Sequence, residues 1–302
     1  MIKKKNYLLF LNPLYWPIWF ILSLFWLITR LPHHWQIKSG TFLGKLLYLF
    51  PSQLKKITEI NIKLCFPHYT HEQQVEFVKK SFISMGIGLI ETAMAWWLPE
   101  KKLNCLYTIK GLEHAEQAFA KNKGIILIGP HFTCLELVGR LIGLKYTFGV
   151  MYRPHKKPII SFLHNQFRRF AVYIPRNKIR QLFSALRNNT AIWYAYDIDG
   201  GPKHSVFAPF FGIPTASMTA ITRIIRLSGA AIVPISFHRR DNDFGYDLTL
   251  LPALENFPSD DPVADATRLN TILEKAILEK PEQYVWQYKR FKTRPPGEKR
   301  FY

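Results

Sequence analysis

Short apolar runs alternate with helix-length segments along the chain from residue 101 onward. The clearest runs are YTIK, GIILIG, TFGVMY, AIWYAYD and AIVPISF, which begin at residues 107, 124, 147, 191 and 231. Alternation of this kind predicts an α/β fold with a mainly parallel central sheet flanked by helices on both faces. In such sheets, ligands bind outside the carboxyl ends of the strands, so polar residues at those ends are the first candidates for a site.

The N-terminal pattern differs, because residues 6–29 include no side chain with a formal charge. The stretch matches the roughly 20 apolar residues that cross a bilayer core. It continues into RLPHHW without the small residues of a signal-peptide cleavage site. We therefore predict that residues 1–30 form a retained membrane anchor, either a spanning helix or a helix lying in the plane of the interface. Basic residues flank the run on both sides and leave its orientation open.

Between the anchor and residue 101 the pattern is helical. The segments 41–50, 51–66 and 75–97 each combine an apolar face with a basic polar face. We expect membrane-associated helices over residues 40–98. No internal repeat or low-complexity linker divides the remainder, so residues 31–302 are expected to form a single domain.

Composition adds two constraints. The chain has 41 Lys and Arg residues against 21 Asp and Glu residues, and its net charge of +20 is spread along the sequence. This balance predicts a polyanionic partner, for which nucleic acid, anionic lipid and phosphorylated substrates all qualify. The three cysteines show no C-x-x-C spacing, which argues against a disulfide framework or a zinc site and favours a reducing environment.

Polar residues follow two of the predicted strands. His131 comes directly after GIILIGP, and Asp197 and Asp199 end AIWYAYDID. If His131 lies in the turn before a helix formed by FTCLELVGRLIGL, its ring can fold back and meet Glu136. One imidazole nitrogen would then accept a proton while the other donates to the carboxylate, as a general base requires. The alternative is that His131 caps a turn and Glu136 is solvated.

Several blocks in this chain resemble the late (secondary) lipid A acyltransferases of Gram-negative bacteria, of the lauroyl and myristoyl transferase kind. The matching blocks are NIKLCFPHYT, GPHFTCLELVGR, MYRPHKKP, DIDGGPKHSVFAPFFG and PEQYVWQYKRFKTRPPGE. They keep the order and approximate spacing of the family. The resemblance covers nearly the whole chain, including the N-terminal anchor.

This resemblance implies a glycerolipid acyltransferase-like domain on the cytoplasmic side of the inner membrane, held by a single-pass anchor. The implied reaction moves a fatty acyl chain from acyl carrier protein to the hydroxyl of an acyl chain on a lipid A precursor. The co-substrate is an acyl thioester, no further cofactor or metal is implied, and the phosphorylated substrates would account for the positive charge without nucleic acid.

The family's H-x-x-x-x-E motif matches His131 and Glu136, as base and orienter. Its downstream arginine matches Arg168, and its D-x-D block matches Asp197 and Asp199. Two positions depart from the family pattern. Ile198 stands where a polar residue is usual, so no middle side chain of this block can contribute. Lys157 replaces the usual Asn before Pro158, which leaves the role of that position open.

Other polar residues carry weaker expectations. Arg168 suits an oxyanion or a phosphate, or is a surface partner of a nearby acid. Asp199 orients Arg168 or a substrate hydroxyl, or forms a turn. Arg153, beside Tyr152 at a strand end, is predicted to bind a sugar phosphate. Cys134 is expected to be a packing residue rather than a nucleophile.

Two further sets of residues are considered in the same way. Basic residues near the C-terminus suit an acidic carrier protein or lipid phosphates, or form a solvated face; they are Lys289, Arg290, Lys292 and Arg294. The segments AMAWW, FAPFFG and SMTAITRIIRL are apolar enough to line an acyl-chain groove, although core packing explains them as well. The length of the transferred chain is left open.

Two alternatives remain beside the leading hypothesis. The first is an acyltransferase that acts on another glycolipid or on a phospholipid. The second is a basic, membrane-tethered binding protein without catalytic activity. Against the second, the chain shows no helix-turn-helix, RNP or zinc-finger pattern.

Overall fold

The computed structural model describes residues 12–154, 158–241 and 245–302. Its helices are α1 (Trp16–Ile28), α2 (His33–Leu49), α3 (Gln53–Cys65), α4 (His71–Trp97), α5 (Glu100–Leu103), α6 (Leu112–Phe119), α7 (Leu135–Gly143), α8 (Pro158–Phe167), α9 (Ile179–Arg187), α10 (Ala220–Ser228) and α11 (Pro262–Glu279). Its strands are β1 (Tyr107–Lys110), β2 (Ile125–Ile128), β3 (Phe148–Tyr152), β4 (Val172–Pro175), β5 (Ala191–Trp193), β6 (Ser205–Phe210), β7 (Ile213–Met218), β8 (Ala231–Arg239) and β9 (Tyr246–Leu250).

Seven strands form the central sheet in the order β1-β9-β8-β2-β5-β3-β4. Every neighbouring pair is parallel except β8 and β9, which are antiparallel. Strands β6 and β7 form a separate antiparallel hairpin. The sheet is flanked by helices, among them α6, α9 and α11. The prediction of an α/β fold with a mainly parallel sheet is thus confirmed.

Strand β2 lies at the centre of the sheet, and all four of its side chains are buried. A parallel strand covered on both faces is apolar throughout, which explains the uninterrupted run IILI. The strand ends at Ile128 and is followed by Gly129 and Pro130. A Cβ atom on Gly129 would lie 2.6 Å from the carbonyl oxygen of Ile235 in β8, so only glycine fits there. Pro130 lacks the N–H that a continuing strand needs.

The N-terminal helices α2, α3 and α4 form a layer that shares its core with the sheet. Helix α4 begins with a capping box at Thr70 and Gln73. Glycines allow the backbones of α2 and α4 to touch. A Cβ atom on Gly44 would lie 2.5 Å from the Cα of Ile83, and one on Gly86 would lie 2.4 Å from the carbonyl oxygen of Gly40.

A buried ion pair ties this helical layer to the sheet. Arg239 at the end of β8 donates from Nε and Nη2 to the two carboxylate oxygens of Glu91 in α4, each at 2.7 Å. The hydroxyl of Tyr246 in β9 donates to the same carboxylate at 2.6 Å. Because both charges are paired and hydrogen-bonded, their burial is tolerated.

The structure describes only part of the predicted membrane anchor, because residues 1–11 lie outside the described residues. The described part contains α1, which has 13 residues. None of the helices in the three described ranges is long and apolar enough to span a bilayer. The side chains of Trp16, Phe20 and Leu24 on α1 are nevertheless exposed.

Candidate active site

His131 and Asp197 meet at the carboxyl edge of two neighbouring parallel strands. His131 lies in the turn after β2, and Asp197 lies four residues beyond the end of β5. The Nδ1 atom of His131 is 2.5 Å from Oδ1 of Asp197, and the backbone N–H of His131 donates to Oδ2 at 2.7 Å. An ionised carboxylate only accepts hydrogen bonds, so Nδ1 carries the proton and Nε2 is left with its lone pair. The two strand ends thus bring His131 and Asp197 into direct contact.

The two groups shift each other's pKa. Burial disfavours the charged imidazolium, but the charge and hydrogen bond of Asp197 outweigh burial and raise the pKa of His131 above its ordinary value. Burial likewise disfavours the charged carboxylate. The charge of His131 and the hydrogen bonds from its ring and backbone outweigh that effect and lower the pKa of Asp197. Asp197 is therefore ionised at neutral pH and stabilises a proton taken up by His131.

The turn that carries His131 is held by the segment around residue 284. The N–H of Val285 donates to the carbonyl of His131 at 2.9 Å, and the N–H of Thr133 donates to the carbonyl of Gln283 at 2.9 Å. The side chain of Gln283 exchanges two hydrogen bonds with the backbone of Arg239. The imidazole also packs edge-on against Trp193, with ring centroids 4.9 Å apart. The position of the ring is thus fixed by three parts of the chain.

Glu136 does not accept the hydrogen bond of His131, and the predicted pairing is corrected. In the first turn of α7, both carboxylate oxygens of Glu136 are occupied by Arg168, with Nε donating to Oε1 at 2.6 Å and Nη2 donating to Oε2. Trp96 adds a third hydrogen bond, from Nε1 to Oε1, at 3.1 Å. Because the guanidinium fork matches a carboxylate bidentately, it occupies Glu136 fully, and the buried Asp197 takes the orienting position instead.

His131 and Glu136 nevertheless face the same cavity, which has a volume of about 360 Å³. The cavity lies between α7 and the sheet, and its walls are mainly apolar. The polar atoms in its lining come from a small set that includes His131, Glu136, Arg168, Tyr152 and Arg153. A mostly apolar cleft with a few convergent polar groups is the usual form of a small-molecule site.

The remaining predicted substrate-binding residues differ in their surroundings. Arg153 is exposed and Tyr152 is half-buried, and both line the cavity after β3. The ring of Tyr152 stacks on His164 with centroids 4.8 Å apart. The guanidinium of Arg168 lies 5.8 Å from the ring centroid of Tyr173, which also lines the cavity. These residues remain candidates for substrate binding.

Asp199 lies in a turn and does not orient Arg168. Its carboxylate accepts hydrogen bonds from the N–H of Gly201 at 2.9 Å, and from the N–H and the hydroxyl of Thr293 at 2.8 Å each. These contacts tie the Asp-Gly-Gly turn to the C-terminal segment. The turn-forming interpretation therefore describes Asp199 better than the substrate-orienting one.

Several other expectations are corrected by burial. Arg290 is almost fully buried and donates to the carbonyl of Ala216 at 3.0 Å, and Arg294 donates to the carbonyl of Pro214 at 2.6 Å. These two arginines therefore do not belong to an open basic face.

Cys134 is buried, and burial strongly raises the pKa of its thiol, which agrees with a packing role. Within the described ranges, no group of three or more His, Cys, Asp or Glu residues is placed to hold a metal ion.

The cavity walls also differ from the expectation. None of the segments AMAWW, FAPFFG and SMTAITRIIRL contributes to the lining. The lining comes instead from β2, β3, β4, β5, β8, α7 and the loops that follow β2, β3, β5 and α8. The buried residues of these segments, such as Met94, Phe210 and Ile221, belong to the core instead, while Leu227 is exposed. The sequence also did not predict two tryptophan contacts at the site. These are the hydrogen bond from Trp96 to Glu136 and the ring contact of Trp193 with His131. Only the proximity of each tryptophan to a polar site would have revealed them, and the sequence carries no such signal.

The profile described as "Bacterial lipid A biosynthesis acyltransferase" matches residues 3–293 of the chain. The chain belongs to this family. Similar proteins include the lipid A biosynthesis palmitoleoyltransferase of Escherichia coli (strain K12), which is 37% identical over 97% of this chain and 96% of its own length. The lauroyltransferase of the same organism is 37% identical over 95% of both chains, and its myristoyltransferase is 24% identical over 96% of this chain and 91% of its own.

A solved structure of the 1-acyl-sn-glycerophosphate (LPA) acyltransferase PlsC from Thermotoga maritima aligns with 78% of this chain and 97% of its own, at 12% identity and a TM-score of 0.38. That similarity is too low to support a statement about fold or function. Membership of the family rests on the profile and the relatives. This chain is a lipid A acyltransferase, an enzyme of the lauroyl and myristoyl transferase type.

Proposed function

We propose that this lipid A acyltransferase moves a fatty acyl chain from acyl carrier protein to the hydroxyl of an acyl chain on a lipid A precursor, with His131 as the general base. The observation that carries the proposal is the His131–Asp197 pair at the edge of the apolar cavity. A base beside an apolar cleft suits a reaction in which an alcohol attacks a fatty acyl thioester.

The steps follow from the position of the proton. Nδ1 of His131 keeps its proton in the hydrogen bond to Asp197, so Nε2 takes the proton of the acceptor hydroxyl as its oxygen attacks the thioester carbonyl. The negative charge of Asp197 stabilises the resulting imidazolium. When the C–S bond breaks, the imidazolium returns that proton to the leaving thiolate. An ester and a thiol are formed, and His131 is again neutral.

Glu136 is assigned a positioning role in this proposal. Its carboxylate holds Nε and Nη2 of Arg168, which leaves the remaining guanidinium N–H groups for an oxyanion or a phosphate. Arg153 and Tyr152, at the end of β3, are placed to meet the polar part of a substrate whose acyl chain occupies the cavity. Asp197 orients His131. Asp199 instead stabilises its own Asp-Gly-Gly turn.

We place the enzyme on the bacterial inner membrane, with its catalytic domain on the cytoplasmic side. Exposed apolar side chains on α1 and α2 support this placement; they include Trp16, Phe20, Leu24 and Leu27 on α1, and Trp35, Phe42, Leu46 and Leu49 on α2. Each set follows one face of its helix. An apolar surface of this kind, rimmed by Arg30 and Lys38, suits an anionic lipid bilayer.

The direct test compares lipid A by mass spectrometry in cells with and without this gene. We expect a mass difference of one acyl group, restored by the wild-type gene and not by His131→Ala, which should lower transfer about a hundredfold to ten-thousandfold. His71→Ala is the control, because His71 is an exposed histidine at the start of α4. An unchanged lipid A, together with a mass change in another glycolipid or in phospholipid, would reassign the acceptor.

A further inference from the structure

The cavity beside His131 ends at three apolar side chains that come from different elements. They are Leu127 in β2, Ile142 in α7 and Ile235 in β8, and all are buried. The same three residues also line a second, apolar void of about 20 Å³. We call these three residues the floor. The floor therefore lies between the cavity and the second void.

The residues that line the two spaces follow one another along β2 and along α7. Leu127 and Ile125 lie on the same face of that strand, and Ile125 lines only the second void. On α7, Val138 lines the cavity and Ile142 belongs to the floor, while Tyr146 beyond the helix lines the second void. A channel between β2 and α7 is thus closed near its middle by side chains alone.

Strand geometry sets the scale of this channel. At about 3.3 Å per residue, Leu127 lies up to about 13 Å from His131, and Ile125 lies about 7 Å further along. The second void has room for about one water molecule, but it has no exposed polar lining that would bind one. It is therefore available to apolar atoms once the floor is removed.

We propose that the floor sets the length of the acyl chain that this enzyme accepts from its donor, with Ile142 as the most sensitive position. The inference rests on the proposed function, because it assumes that the donor chain occupies the cavity. A chain that is too long must displace close-packed side chains, and one that is too short leaves apolar wall unfilled. Ile142 closes the channel from a helix, where truncation to Ala keeps the backbone favourable.

The test gives the purified full-length enzyme an equimolar mixture of saturated acyl–acyl carrier protein donors, from decanoyl to palmitoyl, and measures the acylated product by mass spectrometry. For Ile142→Ala, the ratio of long to short chains in the product should rise about tenfold, as expected from burying about two more methylene groups. Gly139→Ala should shift the ratio towards shorter chains. A Cβ atom there would lie 3.3 Å from Phe170 and 3.7 Å from Phe148, and would narrow the cavity.

Leu141→Ala is the matched control. Leu141 is fully buried in α7 next to Ile142 but lines neither space, so its truncation should cost stability without changing the ratio. Wild-type ratios in both Ile142→Ala and Gly139→Ala would overturn the proposal, as would an equal shift in Leu141→Ala. If the wild-type enzyme transfers no chain from any of these donors, the proposed function itself fails.

Discussion

The carboxylate of Asp197 is almost completely buried, and it accepts two hydrogen bonds from a single residue, His131. This double contact fixes the imidazole in one tautomer and one orientation. It also sets the sign of the pH dependence. Because the pKa of His131 is raised, the neutral base is depleted as pH falls through that raised pKa, and the rate should rise with pH over this range.

Asp197→Asn tests this assignment at the residue scale. Removing the negative charge lowers the pKa of His131, so the acid limb of the pH–rate profile should move to lower pH. The maximal rate should fall by about a hundredfold or more, because the imidazolium loses its counter-charge. The profile is measured with a single acyl donor under saturating conditions. An acid limb that stays in place would show that Asp197 does not control His131.

Glu136→Gln is the companion variant. Glu136 contacts Arg168 and Trp96 and makes no hydrogen bond to His131, so the acid limb should stay where it is in the wild type. The rate should fall about tenfold, since Arg168 loses a charge-assisted, bidentate partner. The two profiles together separate a group that acts on the base from one that positions an arginine. A shift of the acid limb in Glu136→Gln alone would restore Glu136 as the orienter.

At the scale of elements, the contact between α2 and α4 depends on the absence of side chains. Gly40 and Gly44 are one turn apart on α2 and face the backbone of α4, where Gly86 provides the matching gap. No local pattern in the sequence distinguishes such glycines from helix-weakening ones. The helix boundaries were largely predictable, since α3 falls within the predicted segment 51–66 and α4 ends with the predicted segment 75–97 at Trp97. The start of α4 was missed by four residues, because its capping box lies at Thr70 and Gln73, before the apolar pattern begins.

Gly44→Val should destabilise the protein by at least about 1–3 kcal/mol, because a Cβ atom would overlap the backbone of Ile83. Lys45→Val is the matched control, since it places the same β-branched residue at an exposed position of the same helix. Urea unfolding of both variants gives the free energies of unfolding. Because valine is a better helix former than glycine, a loss in Gly44→Val no larger than that in Lys45→Val would mean that the close contact does not restrict this position.

Four strands escaped prediction at this scale: β4, β9 and the two strands of the β6–β7 hairpin. β4 has the short sequence VYIP, and β9 alternates apolar and polar residues as an antiparallel neighbour of β8. Buried parallel strands show continuous apolar runs, and β9 has none. β4 does lie in such a run, FAVYIP, which begins at residue 170. β5 is shorter than the predicted run, because the chain leaves the sheet after Trp193 and brings Asp197 to His131.

At the scale of the whole molecule, exposed apolar side chains are concentrated on α1 and α2, while those elsewhere, such as Leu227, Val263 and Leu278, are scattered. The net charge of +20 adds attraction to an anionic bilayer, which weakens as salt is added. The enzyme should therefore sediment with anionic vesicles, and less so at high salt.

Phe20→Ser combined with Leu24→Ser should lower the affinity for these vesicles at least about tenfold, because two apolar side chains no longer enter the bilayer. The control pair is Val263→Ser with Leu278→Ser, which removes two exposed apolar side chains from α11. Co-sedimentation with vesicles of fixed composition measures both. If the two pairs lose affinity equally, α1 is not the membrane-contacting surface.

Patterns along the chain were enough to predict the α/β class, the helical N-terminal layer and the position of His131 at a strand end, and to reveal the resemblance to the lipid A acyltransferases. These features depend on local periodicity and on short ordered blocks, which can be read along the chain. Only the tertiary structure decided which carboxylate His131 contacts, since Asp197 lies 66 residues away and Glu136 only five. It also decided where the cavity lies and where it ends, because its floor joins side chains from β2, α7 and β8 that packing alone brings together.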